Sequence, residues 1–208
     1  MAILSRNDLM SLEEYASLRE QLRDRFIRYK QQRQFQMDDQ IRFYFEDKVT
    51  VQYQIQEMLR VEKIFEAEAI QEELDAYNPL VSQPNSWKAT MMLEYPDPDE
   101  RKLKLSQRIG IEDTVWLQVG EGEKVYAIAN EDLDRSNQEK TSSVHFLRFE
   151  LTDDMVVNCL QGAGVEMGIE HPAHSCGPIP LPDLVVASLR QDLNMQGGKP
   201  SLRSLVEH

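Results

Sequence analysis

The chain has 208 residues, of which 41% are hydrophobic and 28% charged, and its formal net charge at pH 7 is −13. This composition excludes a disordered chain and predicts a soluble globular protein. The negative charge disfavours binding to nucleic acid or to anionic lipid, and no apolar run approaches the roughly 20 residues that cross a bilayer.

The first part of the chain predicts two helices and a strand. Ser11 and Glu14 form a capping box, and apolar residues then recur at helical spacing as far as Tyr29. Residues 41–46, IRFYFE, alternate like a strand with one buried face. A second helix is predicted from Thr50 to about Glu68, with a further turn through residues 70–77.

The first helix is rich in basic residues, which are Arg19, Arg23, Arg25, Arg28, Lys30 and Arg33. Cations late in a helix complement the helix dipole, and the acidic remainder of the chain offers them partners. We favour this interpretation over a nucleic-acid-binding face.

The rest of the chain predicts mainly strands. Strands are expected at residues 88–95, 144–151 and 165–171, a hairpin at 113–129, and helices at 96–109, 153–160 and 182–193. This order predicts one α+β domain over residues 1–194, a mostly antiparallel β-sheet with helices packed against it and a helical N-terminal segment. Residues 195–208 lose all periodicity and predict a flexible tail.

The stretch GIEHPAHSCG, residues 168–177, contains His171, His174 and Cys176. With His145, these side chains are candidate ligands of a zinc or iron ion, because such ions take imidazole nitrogen and thiolate sulfur. Alternatively, a strand ends at His171 and an ordinary loop follows, with histidines that face water or the backbone. We favour the loop interpretation, since one incomplete ligand cluster is weak evidence for a metal.

No pattern predicts a catalytic centre. Cys176 would need a base and an orienting group, and His174 lies too close in an extended chain to serve as that base. The glycines match neither of the common phosphate-binding motifs, there is no Gly-x-Ser-x-Gly elbow, and the acidic second helix lacks the Glu-x-x-His pairs of di-iron bundles. The sequence therefore favours a non-catalytic protein over an enzyme.

The long polar loop before the strand at residue 144 is a candidate ligand site. Arg135, Lys140 and Ser142 could fold over the sheet and hold an anion or another small ligand, since long loops often carry function. Alternatively, the loop is stabilised internally by Asp132 and Asp134.

Three runs, VTVQYQIQEMLRVEKIFEAEAIQEELDAYNPL, KATMMLEYPD and KTSSVHFLRFEL, resemble a family of bacterial proteins of roughly this length that is classified only as a domain of unknown function. The resemblance covers about Leu4 to Leu193. It implies no activity, but it implies a context of rubrerythrin-like and iron–sulfur redox proteins. It also implies a histidine followed by proline, which matches His171 and Pro172.

The leading hypothesis is a cytoplasmic accessory or binding protein that acts through its surfaces, with a protein partner and a link to redox or iron–sulfur systems. Two cysteines and no secretion signal fit a reducing cytoplasm. The alternatives are a small metal-binding protein or metalloenzyme and an anion or small-ligand binder. A homodimer is compatible with the sequence, because a sheet has edges to protect.

Overall fold

In a computed structural model, residues 4–129, 131, 139–193 and 200–206 are described. The chain divides into two compact units, each built from separate segments. Unit 1 comprises Met1–Gln32, Glu46–Gln83 and Gln196–His208, and unit 2 comprises Arg33–Phe45 and Pro84–Met195. The single domain predicted from the sequence stays a prediction.

Unit 1 is helical, with α1 at Leu12–Gln31, α2 at Lys48–Glu62 and α3 at Ala67–Tyr77. The predicted N-cap at Ser11 is confirmed, since its side chain accepts a hydrogen bond from the Glu14 amide at 3.1 Å, whereas the Glu14 carboxylate pairs with Arg203 instead of completing the predicted capping box. Helix α2 begins at a second cap, in which Asp47 and Thr50 bond each other's backbone amides. Short 3-10 helices lie at Arg6–Asp8, Asn78–Leu80 and Arg203–Leu205.

The prediction of one continuous helix from Thr50 to about Glu68 is wrong. Helix α2 ends at Glu62, because Lys63 adopts a left-handed conformation with φ of 55° and its amide bonds the Leu59 carbonyl. Helix α3 then begins separately at Ala67. A left-handed residue at this position is a common helix terminator, but it is usually glycine, so the sequence carried no signal for it.

The core of unit 1 contains the apolar stripe predicted on α1. Tyr15, Leu22 and Phe26 are buried and pack with Val49 and Leu202. A second cluster joins α2 to α3 through Val51, Ile55, Leu59 and Leu74. Leu202, which lies in the segment expected to be a tail, is fully buried.

Unit 2 contains two antiparallel sheets. The first consists, in spatial order, of β1 (Gln34–Gln36), β2 (Ile41–Glu46), β3 (Ser86–Leu93), β7 (Val144–Glu150) and β6 (Ile128–Ala129). The second consists of β5 (Val125–Tyr126), β4 (Val115–Val119), β8 (Val165–His171) and β9 (His174–Pro180). The predicted α+β class with antiparallel strands and a helical N-terminal segment is therefore confirmed.

Two features of these sheets differ from the predicted elements. The second strand of the expected hairpin is split at Ala127, so that β5 pairs with β4 while β6 pairs with β7 of the other sheet. The segment after His171, expected to be a loop, forms strand β9 against β8. The sequence did not predict this strand because it contains Pro178 and Pro180. Proline is tolerated in an edge strand, but in a sequence it usually argues against a strand.

Three helices complete unit 2, namely α4 at Pro98–Gln107, α5 at Asp153–Leu160 and α6 at Asp183–Leu193. A continuous core fills this unit, with Trp87, Phe43 and Phe149 among its largest buried side chains. Within the described ranges, no helix has both the length and the hydropathy needed to cross a membrane.

Candidate functional site

The residues predicted to bind an anion are only partly described. Arg135 lies outside the described residues. Lys140 is exposed and borders a shallow pocket of about 330 Å³ that Lys102 and Ser106 of α4 also line. The Ser142 hydroxyl accepts a hydrogen bond from the Val144 amide at 3.1 Å, so it serves the turn into β7. This binding site stays a prediction.

His145, the first candidate metal ligand, is fully buried on β7. Its Nε2 lies 2.9 Å from the Thr141 hydroxyl and 3.0 Å from the Ser142 carbonyl. Its Nδ1 lies 3.7 Å from a carboxylate oxygen of Glu112, which is only 1% exposed. These contacts describe a buried polar cluster that holds the start of β7.

His171 and His174 stand at the two ends of the β8–β9 turn, and different groups engage them. His171 Nδ1 accepts a hydrogen bond from the Ala173 amide, and its Nε2 lies 3.2 Å from the Ile109 carbonyl. His174 contacts Asp38 and Arg108. A metal at His171 would have to displace one of its two backbone contacts.

Cys176 is half-buried on β9, and burial together with the nearby Asp38 carboxylate raises the pKa of its thiol. A raised pKa disfavours the thiolate that a nucleophile or a metal ligand requires. Among the described residues, no three His, Cys, Asp or Glu side chains are grouped so that they could hold a metal ion. The metal site stays a prediction.

A different constellation is assembled in unit 2, and we call it the Arg108 cluster. It consists of Asp38, Gln40, Tyr95, Arg108 and His174. Asp38 and Gln40 belong to the β1–β2 turn, Tyr95 follows β3, Arg108 follows α4, and His174 opens β9. Three other chain segments therefore converge on the Arg108 guanidinium group.

Arg108 lies at the centre of this cluster and is 4% exposed. Its Nη1 donates to the Tyr95 hydroxyl, and its Nη2 donates to Gln40 Oε1 at 2.6 Å and to His174 Nδ1 at 2.9 Å. Within the described parts of the chain, no carboxylate lies within ion-pair distance of this guanidinium, and Asp38 acts on its charge only through space.

His174 links Arg108 to the nearest carboxylate. Burial is the main cause that lowers the pKa of His174, and the Arg108 charge lowers it further, against the opposing effect of Asp38. The ring is therefore neutral at pH 7. Since Nδ1 accepts from Arg108, the proton lies on Nε2, which is 2.8 Å from Asp38 Oδ2.

Asp38 is held in turn by the backbone of its own turn. Its Oδ1 accepts hydrogen bonds from the amides of Gln40 and Ile41, both at 2.8 Å. The side chains of Asp38 and His174 keep exposures of 26% and 16%, so the cluster reaches the protein surface. The arrangement combines a buried, pre-oriented guanidinium and neutral acceptors with two partly exposed side chains, those of Asp38 and His174.

Comparison with known proteins agrees with the resemblance noted from the sequence. Residues 3–193 match the family described as Protein of unknown function (DUF3501). The chain belongs to this family. The chain is similar to a protein of unknown function from Burkholderia pseudomallei K96243, whose crystal structure is known at 1.90 Å resolution. The two sequences are 45% identical, the structures superpose with a TM-score of 0.88, and the match covers 92% of this chain and 100% of the other. No protein of curated function matches the chain.

Sequence reasoning missed most of the Arg108 cluster, since only His174 was singled out. Its members come from four separate segments, and no spacing along the chain connects them. Arg108 itself sits in the expected α4 segment, where an arginine near a helix end is ordinarily a surface residue that complements the dipole. The only feature in the sequence that could have indicated the cluster is that polar residues stand next to predicted strands. This feature is too common in proteins to identify a site.

Proposed function

We propose that this protein is a non-catalytic binding protein, and that the Arg108 cluster of unit 2 binds a small anion such as a carboxylate or a phosphate. The observation that carries the proposal is the buried guanidinium of Arg108, whose contacts in the described residues are a phenol, an amide oxygen and an imidazole nitrogen.

A buried charge is costly unless a counter-charge compensates it. Burial accordingly lowers the pKa of Arg108, and Asp38 opposes this only through space. An oxyanion beside the guanidinium would supply the missing charge and accept from the N–H groups, as carboxylates and phosphates commonly do with arginine.

The proposal also includes a broader accessory role in redox or iron–sulfur systems, with a protein partner. This broader role is supported by the family resemblance alone. Anion binding at Arg108 is the part that the contacts support, and it is tested independently of any partner.

The decisive variant is Gln40→Glu. It places a carboxylate where Gln40 Oε1 now lies, 2.6 Å from Arg108, with almost no change in shape. We expect this internal carboxylate to raise the melting temperature and to abolish anion binding, because it takes the place of the ligand's charge. A variant that is more stable yet no longer binds cannot be explained by misfolding.

Binding would be measured by calorimetry and thermal shift on the full chain, with phosphate, sulfate, acetate and succinate at constant ionic strength. Arg108→Gln should also lose binding. Arg148→Gln serves as its matched control, since Arg148 is a partly buried arginine already paired with Glu131 and Glu150. Absence of saturable binding to the unmodified protein, or unchanged binding by Gln40→Glu, would overturn the proposal.

A further inference from the structure

Unit 1 contains an apolar pocket of about 320 Å³. None of its lining residues belongs to the Arg108 cluster. It lies between the start of α1, the end of α2 and the start of α3. Seven of its nine lining residues are apolar, and Leu59, Ile64, Phe65 and Ile70 form the side contributed by α2, α3 and their connection.

The pocket has a buried base and an exposed apolar rim. Leu59 and Met10 are 2% and 4% exposed, whereas Phe65 is 68% exposed. Removal of apolar surface from water is favourable, so a molecule that covers the Phe65 ring beside the apolar pocket gains binding free energy. Exposed aromatic rings beside pockets are typical anchors of protein interfaces.

The surface that follows Phe65 is strongly acidic. Glu66, Glu68, Glu72 and Asp75 are exposed along α3 and its N-cap, and Lys63 is the one basic residue between positions 61 and 75. Exposed charges of one sign around an apolar contact favour a partner of the opposite sign and steer its approach. Arg6, the one charged lining residue, can donate to a backbone carbonyl of a bound segment.

We propose that this pocket is a docking site for a partner protein that presents one or two large apolar side chains flanked by lysine or arginine, as on a basic amphipathic helix. The pocket receives the apolar side chain, Phe65 covers it, and the carboxylates of α3 face the basic flank. This recognition of an apolar segment in a groove is common among helical partners. The proposal does not depend on anion binding by unit 2.

The probe is a fluorescein-labelled amphipathic peptide of leucine and lysine, about 18 residues or five helical turns long. Its binding to the full chain is followed by fluorescence anisotropy at physiological salt. We expect saturable one-to-one binding, and Phe65→Ser should weaken it on the order of tenfold. The matched control is Ile27→Ser, because Ile27 is also an exposed apolar residue of unit 1 but does not line the pocket.

A second pair of variants tests the charge. The double variant Glu66→Gln, Glu68→Gln should weaken peptide binding several-fold more than the double variant Glu20→Gln, Asp24→Asn does. The second variant is the matched control, because it removes the same number of exposed carboxylates from α1. A peptide with serine in place of leucine separates non-specific attraction from docking. Equal binding of the serine peptide, or no effect of Phe65→Ser, would overturn the proposal. So would occupation of the pocket by decanoate without peptide binding, or a dimer that Phe65→Ser dissolves.

Discussion

His174 carries a pH dependence that follows from its position in the Arg108 cluster. Burial and the Arg108 charge lower the pKa of its imidazole below the usual value near 6.5. Protonation therefore favours the unfolded chain, and it also converts Nδ1 from an acceptor into a second donor facing Arg108. The stabilising contribution is complete above about pH 6.5 and is lost as the pH falls through the lowered pKa of the folded state.

His174→Asn should remove this dependence. Asparagine can offer its carbonyl oxygen near the position of Nδ1 and does not titrate, so the contact with Arg108 is kept. The free energy of unfolding, measured by urea titration from pH 7.5 to pH 4.5, should fall less steeply below pH 6.5 in this variant than in the unmodified chain. Parallel curves would mean that His174 does not titrate differently in the folded and unfolded states.

Individual residues show which features of the structure can be predicted from the sequence. The stripe of Tyr15, Leu22 and Phe26 was predicted because helical periodicity depends only on local spacing. His174 was predicted as a candidate metal ligand, but its partner Asp38 lies far away in sequence and belongs to the other sheet, so only the packing of unit 2 brings the two side chains together. Long-range side-chain contacts of this kind leave no local pattern.

Among the elements, β4 and β8 show how close packing depends on a single glycine. Trp116 on β4 pairs with Gly168 on β8, and a Cβ atom added at Gly168 would lie 2.3 Å from Trp116 Cζ2. The same Cβ would come within 2.9 Å of the Cys176 carbonyl on β9. The missing side chain of Gly168 therefore leaves the space that the indole ring of Trp116 and the Cys176 carbonyl occupy.

Gly168→Ala should lower the free energy of unfolding by about 2 kcal/mol, because the ring and the adjacent strand must move to accept the methyl group. Gly164→Ala is the control, since a Cβ at that glycine meets nothing within 4 Å. Chemical denaturation followed by tryptophan fluorescence measures both. Equal effects of the two substitutions would mean that Trp116 relaxes without cost.

The elements that sequence reasoning placed wrongly share a cause. Helix α2 ends at a left-handed lysine where glycine is usual, and β9 is an edge strand with two prolines. Strands β5 and β6 are two residues long and belong to different sheets. In each case tertiary packing overrides the local preference, whereas the long periodic helices and strands were predicted with their correct type.

At the scale of the whole molecule, the order of segments couples the two units. The chain leaves unit 1 at Gln32, returns at Glu46, leaves again at Gln83 and returns at Gln196. The three segments of unit 1 are therefore connected by residues 33–45 and 84–195, which belong to unit 2. In the same way, the two segments of unit 2 are connected by residues 46–83, which belong to unit 1. Because loop closure costs entropy, folding of each unit lowers the cost of folding the other.

This connectivity predicts a single cooperative unfolding transition, in line with the one domain expected from the sequence. Trp87 and Trp116, the two tryptophans of the chain, both lie in unit 2, so their fluorescence reports on that unit. Leu22→Ala removes a fully buried side chain from unit 1 and should cost about 2–5 kcal/mol.

If the units unfold together, Leu22→Ala shifts the urea midpoint of tryptophan fluorescence as far as the midpoint of circular dichroism at 222 nm. The second probe reports mainly on unit 1, whose helices have 20, 15 and 11 residues against 10, 8 and 11 in unit 2. A fluorescence midpoint that stays in place while the circular dichroism midpoint moves would show two independent domains, because a cavity in one unit would then leave the stability of the other unchanged.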